Sequence, residues 1–124
     1  MTTAITTSTQ QLIPSVKAGD VFVSSWGYEQ TNIDYYQVVG IKDKSTLTLR
    51  EIGAKVVESI GYGSGRKVPS KDDFIGEEFD TRASIYQNGD KVNVRVRLDA
   101  FSLAALKQPE DDGSYKPDYY CSYN

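Results

Sequence analysis

The sequence predicts a mainly β single domain, a small curled antiparallel sheet or SH3-like barrel with room for one short helix. Three observations carry that prediction. Asn88-Gly89 stands between two β-like runs and supplies the positive φ angles of a tight hairpin turn. After it, Val92, Val94, Val96 and Leu98 alternate with Asn93, Arg95, Arg97 and Asp99, the period of a half-buried strand. A second clean alternation, Leu47 and Leu49 against Thr46, Thr48 and Arg50, follows a short polar connection and marks another hairpin. At 124 residues the chain can bury one modest core.

In order along the chain, residues 1–15 hold five Thr among the first nine positions and read as a flexible Thr/Ser/Gln-rich leader, with too little apolar surface to offset its ordering entropy. The domain then occupies residues 16–124. Gly19-Asp20 turns into a strand, Val21-Phe22-Val23-Ser24-Ser25-Trp26, whose two apolar faces place it centrally or across a closed sheet. Residues 27–32 have turn chemistry, residues 33–41 form the next strand, and residues 46–52 pair back on it. Gly53 opens another β-like piece over residues 54–60, which the glycines at 61, 63 and 65 break into a flexible exposed loop. Pro69 biases Val68 to extended backbone. Five acids among residues 72–80 surround Phe74-Ile75-Gly76, a turn with an apolar plug. After the Asn-Gly hairpin, residues 99–108 (DAFSLAALKQ) predict the one helix, limited by Pro109. Four Tyr in the last ten residues predict a terminus docked on the domain.

Composition narrows the function. The chain has no histidine, so every Ser-His, Cys-His and His-metal arrangement is excluded. Cys121, the single cysteine, permits no internal disulfide and reads as a tail thiol among aromatics. A net charge of -3 leaves no chain-wide basic footprint for nucleic acid. No run approaches the roughly 18 apolar residues of a membrane span, and the N-terminus lacks the pattern of a signal peptide; a cytoplasmic protein is expected. Gly61, Gly63 and Gly65 lack the GK[ST] ending and the strand-loop-helix setting of a phosphate loop. The acids at 72, 73, 77, 78 and 80 do not fit an EF-hand loop. Neither a metal nor a cofactor is expected.

The chemistry concentrates in one segment. Trp26, Tyr28, Gln30, Thr31, Asn32, Asp34, Tyr35 and Tyr36 combine stacking surfaces with directional donors and acceptors, the mixture found in pockets and interface hot spots. The same residues could be structural, with Trp26 and a Tyr plugging the core and Asn32 and Asp34 capping the turn. A second candidate is a basic sheet face of Arg50, Arg82, Arg95 and Arg97, suited with nearby aromatics to single-stranded nucleic acid. The third is a small enzyme built on Glu29, Asp34 and Arg50, where acid-base work would need a carboxylate shifted by burial or a neighbour.

The blocks GDVFVSSWGYEQTNIDYYQVV, Leu49-Arg50-Glu51-Ile52, KVPSKDDFIG at residues 67–76, and Lys116-Pro117 with its Tyr-rich end resemble a family of small uncharacterised proteins of bacteriophages and related mobile elements. That family's pattern is a Ser-Trp-Gly-Tyr block, an Asp-aromatic-Tyr block, a Val-Pro middle and a Gly-Lys-Pro ending. The likeness covers most of residues 19–124. The chain departs from it at DGSYKP, where the family tends to carry an aromatic-Asp-Gly-Lys-Pro run. The resemblance implies a phage or mobile-element origin and a bacterial host cell, and brings no catalytic residues. The expectation is a non-catalytic binding module that masks a host or defence protein or sequesters a small ligand through the Trp26–Tyr36 segment. Nucleic acid is the alternative partner, and homo-oligomerisation is compatible with either.

Overall fold

Val21-Phe22-Val23 can bury both of its faces only between two packed layers, and the chain builds those layers around it. The computed structural model describes residues 16–27, 31–43, 45–61, 63–88, 91–98 and 102–121. They form eight strands: β1 Val21–Trp26, β2 Asn32–Ile41, β3 Thr46–Gly61, β4 Ser64–Phe74, β5 Phe79–Asn88, β6 Lys91–Arg97, β7 Leu103–Lys107 and β8 Asp118–Cys121. All pairings are antiparallel, in the order β2-β1-β7-β6-β5-β3-β4-β8, and a further β2–β3 ladder joins the sheet to itself. The sheet is therefore a closed barrel of β1, β2, β3, β5, β6 and β7, which leaves none of these strands with an open edge along its paired length.

The far half of β3 runs on past this barrel. There it pairs with β4, β4 pairs with β8, and Cys121 returns to Thr31 at the head of β2 through two backbone bonds of 2.8 and 2.9 Å. A second, smaller ring results, sharing the β2–β3 ladder with the first. Each ring has its own core. Phe22, Val38, Leu47, Leu49, Val94, Val96, Ala104 and Leu106 fill the barrel, with Val16 also packed against them. Val21, Ile33, Tyr35 and Ile52, joined by Val23, Phe74, Tyr115 and Tyr120, fill the smaller ring. Alternate residues of β1 and β2 thus serve different cores.

Several sequence expectations are corrected. The helix over residues 99–108 is absent: its described part is Ser102 followed by β7, while residues 99–101 lie outside the described residues. Ala104 and Leu106 alternate inward between β6 and β1, and closing the barrel outweighs the helical propensity of Leu-Ala-Ala-Leu-Lys. Gly53 does not break a strand; it lies inside β3, where the register shifts between Ile52 and Ala54 and the Asp73 carboxylate occupies the space of a Cβ. The glycines at 61, 63 and 65 form no long loop: Gly61 pairs with Ser64, and φ values of 132° at Gly61 and 67° at Gly63 reverse the chain tightly. In the Asn88-Gly89 hairpin Asn88 pairs with Lys91, one residue later than an Asn-Gly turn requires, which leaves Val94, Val96 and Leu98 on the core side. Ile75 is exposed, so Phe74 alone plugs the turn. The leader at residues 1–15 lies outside the described residues. Among the described residues no helix is long and apolar enough to cross a membrane.

Polar pins hold the smaller ring to the barrel. The Tyr35 hydroxyl, on a side chain only 1% exposed, lies 2.6 Å from Asp118 Oδ2 and 3.0 Å from the Lys67 carbonyl. Lys107 Nζ reaches the same Asp118 oxygen at 3.0 Å. Burial first, then Asp118, pushes the Tyr35 phenol far above its ordinary value, so it stays a donor. Buried Gln37 grips Asp72 twice, donating to its carboxylate at 2.9 Å and accepting its N–H at 2.7 Å, and so holds Asp72 at φ 68°. Tyr35→Phe deprives Asp118 and the Lys67 carbonyl of a buried donor. It is expected to cost about 1–3 kcal/mol, read as a lower urea midpoint with an unchanged m-value.

Candidate functional site

Ser24 and Trp26 of β1 and Asp34 and Tyr36 of β2 share the barrel-facing side of their strands, beyond Phe22 and Val38, where the barrel opens. Together with Leu98 and Ser102 from the β6–β7 connection they line a pocket of about 290 Å³. The register sets Asp34 opposite Ser24 and diagonal to Trp26, so the indole N–H donates to Asp34 Oδ2 at 2.7 Å. Trp26 is anchored at one edge yet 51% exposed, an arrangement that presents its ring at the rim. The floor is an edge-to-face pair, Tyr36 on Phe79, with centroids 5.9 Å apart and planes at 88°.

Glu51 stands on the same face. It pairs with Tyr36 across the β2–β3 ladder, close enough to Asp34 to feel its charge. Burial first and Asp34 second push its carboxyl above the ordinary value. Sequence reasoning missed Glu51, because a hairpin counted back from Ile41 and Leu47 sets Ile52 opposite Tyr36. The register shift between Val38 and Gly40 brings Glu51 opposite Tyr36 instead, on the face of β3 that Leu47 and Leu49 share.

The segment expected to bind is divided by the strand period. Trp26, Asp34 and Tyr36 meet at the mouth. Asn32 lies on their face of β2, opposite Trp26, and its buried amide nitrogen has no hydrogen-bond partner among the described residues. Tyr35 is corrected to a structural role, because it points to the other core. Thr31 serves through its backbone as the bridge to Cys121. Tyr28 and Gln30 lie outside the described residues, as does Glu29 of the enzyme reading. That reading also loses Arg50, which sits on the opposite face of β3, stacked 4.8 Å over Phe74 with its Nε donating to the Gly76 carbonyl.

Of the four arginines of the expected basic face, Arg50 lies apart from Arg82, Arg95 and Arg97. These three, with Ser84, Leu98 and Leu103, line an open groove of about 540 Å³ on the outer side of β5, β6 and β7. Ser84 pairs with Arg95, and Arg82 lies level with Arg97, one step beyond the Ala83–Val96 pair. Asp80 also borders the groove, but Thr48 Oγ1 donates to it at 2.7 Å and Lys42 at 3.1 Å. Those two contacts hold its carboxyl below the ordinary range. Of the other basic residues, Arg66 pairs with Glu58 and Lys67 lies over Tyr120. Among the described residues no three acidic or thiol groups converge as a metal site.

With this geometry in hand, comparison with known proteins adds no template: no family model, curated protein or solved structure matches the chain.

Glu51 makes stability depend on pH. The folded protein keeps a proton on it over an interval just above the ordinary carboxylate range, where the unfolded chain has already lost its own. Stability therefore falls as pH rises through that interval. Glu51→Gln removes the term and is expected to melt above the parent at about pH 7, with the gain shrinking toward about pH 4. Thermal melts at the two pH values check both the sign and the trend.

Proposed function

We propose that this chain is a small non-catalytic binding module that takes up a small ligand at the open end of its barrel. The observation that carries this reading is the mouth pocket itself: a half-exposed indole fixed edge-on to Asp34, with Ser24, Tyr36, Leu98 and Ser102 around it. Small-molecule sites are concave, with aromatic surface and a few placed polar groups that fix orientation. A concave mouth favours sequestering a ligand over masking a flat protein surface. Asp34 suits ligand N–H donors or positive charge, and the indole suits a flat or cationic group. The phage or mobile-element resemblance supplies a setting in the bacterial host cell, where removing a host or defence-related small molecule is a natural task.

Native mass spectrometry of the protein gently purified from a bacterial host tests this. The expected result is a retained non-covalent mass that Trp26→Ala loses while the far-ultraviolet circular dichroism of the β-barrel is kept. A folded Trp26→Ala variant that retains the same mass contradicts the mouth as the site. A clean mass from the parent, with a host protein captured instead, transfers the reading to a protein partner.

A further inference from the structure

β3 is longer than the barrel it belongs to. β2 accompanies it only as far as Tyr35 opposite Ile52, whereas β4 continues along its other edge to Ser64 opposite Gly61. Every residue from Ala54 to Gly61 is exposed, and the edge that β2 leaves behind has no strand against it among the described residues. Val56, Val57 and Ile60 stand on this arm at 53%, 49% and 48% exposure. We infer that the arm is a self-recognition surface: two copies of the chain pair antiparallel through residues 54–59 of β3, about a two-fold axis at Val56-Val57. This surface shares no residue with the mouth pocket, so the two readings stand or fall separately.

An open edge accepts almost any strand unless something on it selects. Two features of the arm select. Lys55 places a charge on the edge, and Val57 is an extra residue, because the ladder steps from Val56 opposite Lys67 to Glu58 opposite Arg66. Charges and bulges are the devices that guard edges against indiscriminate pairing. A second copy meets neither as an obstacle. With bulge set against bulge, Lys55 of each copy falls opposite Glu58 of the other, and Ala54 opposite Ser59.

The bulge also settles the faces. On a regular strand, residues three apart point to opposite sides. Here Lys55 lies opposite Val68 and Glu58 opposite Arg66, alternate positions of β4, so the two side chains share one face. A two-fold axis perpendicular to the sheet keeps that face common to both copies, and both Lys–Glu pairs form on it. The charges are available for this. Lys55 has no ion-pair partner among the described residues. Glu58 meets Arg66 at 2.6 Å through Oε1, which leaves Oε2 for an incoming ammonium. Between the two charged pairs lie four valines, an apolar centre with a polar rim. A foreign strand without an acid at the matching position leaves Lys55 unpaired and has no bulge to match.

Such an interface is isologous and closes at two copies, because pairing uses up the open edge of each arm. Six residues a side is a small contact, so the dimer is expected to come apart on dilution.

The test is sedimentation equilibrium of the intact chain from about 1 μM to about 1 mM. A monomer–dimer equilibrium with no larger species is expected. Lys55→Glu and Glu58→Lys each set like charges opposite one another twice, and each is expected to weaken dimerisation about tenfold. Both positions are exposed, and an unchanged far-ultraviolet circular dichroism spectrum checks that the variants fold. Mixed in equal amounts, the two variants are expected to recover dimerisation as a heterodimer, since an edge with two acids then faces an edge with two bases. The loss of the Arg66 contact in Glu58→Lys lies within one chain and is not restored by mixing, so recovery reports on opposition between copies. A parent that stays monomeric over the whole range overturns the inference, whether or not this edge binds a foreign strand. A dimer indifferent to both reversals overturns it by placing the interface elsewhere. A dimer weakened by the reversals but not recovered on mixing overturns the antiparallel self-pairing, and assemblies larger than two overturn its closure.

Discussion

The β2–β3 ladder, from Ile41 opposite Leu47 to Tyr35 opposite Ile52, is the one pairing that both rings share. Without it the barrel is an open sheet with β2 and β3 as bare edges, and the smaller ring has no wall common with the barrel. The same ladder carries the irregularity that shapes the candidate site. Between Val38 and Gly40 the register slips by one residue, and since side chains alternate with period two, everything beyond the slip changes face. Val38 and Tyr36 turn to the barrel, opposite Leu49 and Glu51, and Tyr35 passes to the smaller core, opposite Ile52. One local bulge thus places Tyr35 where a second core needs it and Tyr36 where the barrel opens.

Much of this was legible in the sequence wherever the period of two is unbroken and one face is buried. Leu47 and Leu49, Val94 and Val96, and the two apolar faces of Val21-Phe22-Val23 all announce their positions. What was illegible depended on partners remote in sequence. Leu-Ala-Ala-Leu-Lys is as good a helix as a strand until β1 and β6 lie on either side of it. Gly53 reads as a breaker because its need is set by Asp73, which packs against it from β4. Within the candidate segment the eight residues could be listed but not sorted. Adjacent Tyr35 and Tyr36 differ only in the face they take, and one became a core pin while the other became the floor of a pocket.

The division of labour between these tyrosines reflects how the chain separates stability from site chemistry. Tyr35, Gln37, Asp72, Lys107 and Asp118 are polar groups whose partners are all met in or near the smaller ring, so their burial fixes geometry rather than leaving unmet groups. They brace β2 from behind. On its other face the same strand carries Asn32 with an unpartnered amide, and Asp34 facing a shifted Glu51 across the ladder. Local rules are satisfied on one side of β2 and broken on the other, and broken rules concentrated on one face of an otherwise consistent strand are what a functional site looks like.

The placement of opposite charges follows from the same architecture. Residues that face into a closed barrel can be polar only at its ends, so acids delivered by β2 and β3 collect at the mouth. Arginines on the alternate positions of β6 must face outward along the barrel wall. The two sets come close only where a strand ends at the mouth, and β6 ends there at Arg97 and Leu98. A scaffold closed on itself has little freedom to rearrange these groups by moving. For any ligand of the mouth such rigidity would be an advantage, since the positioning is done before it arrives.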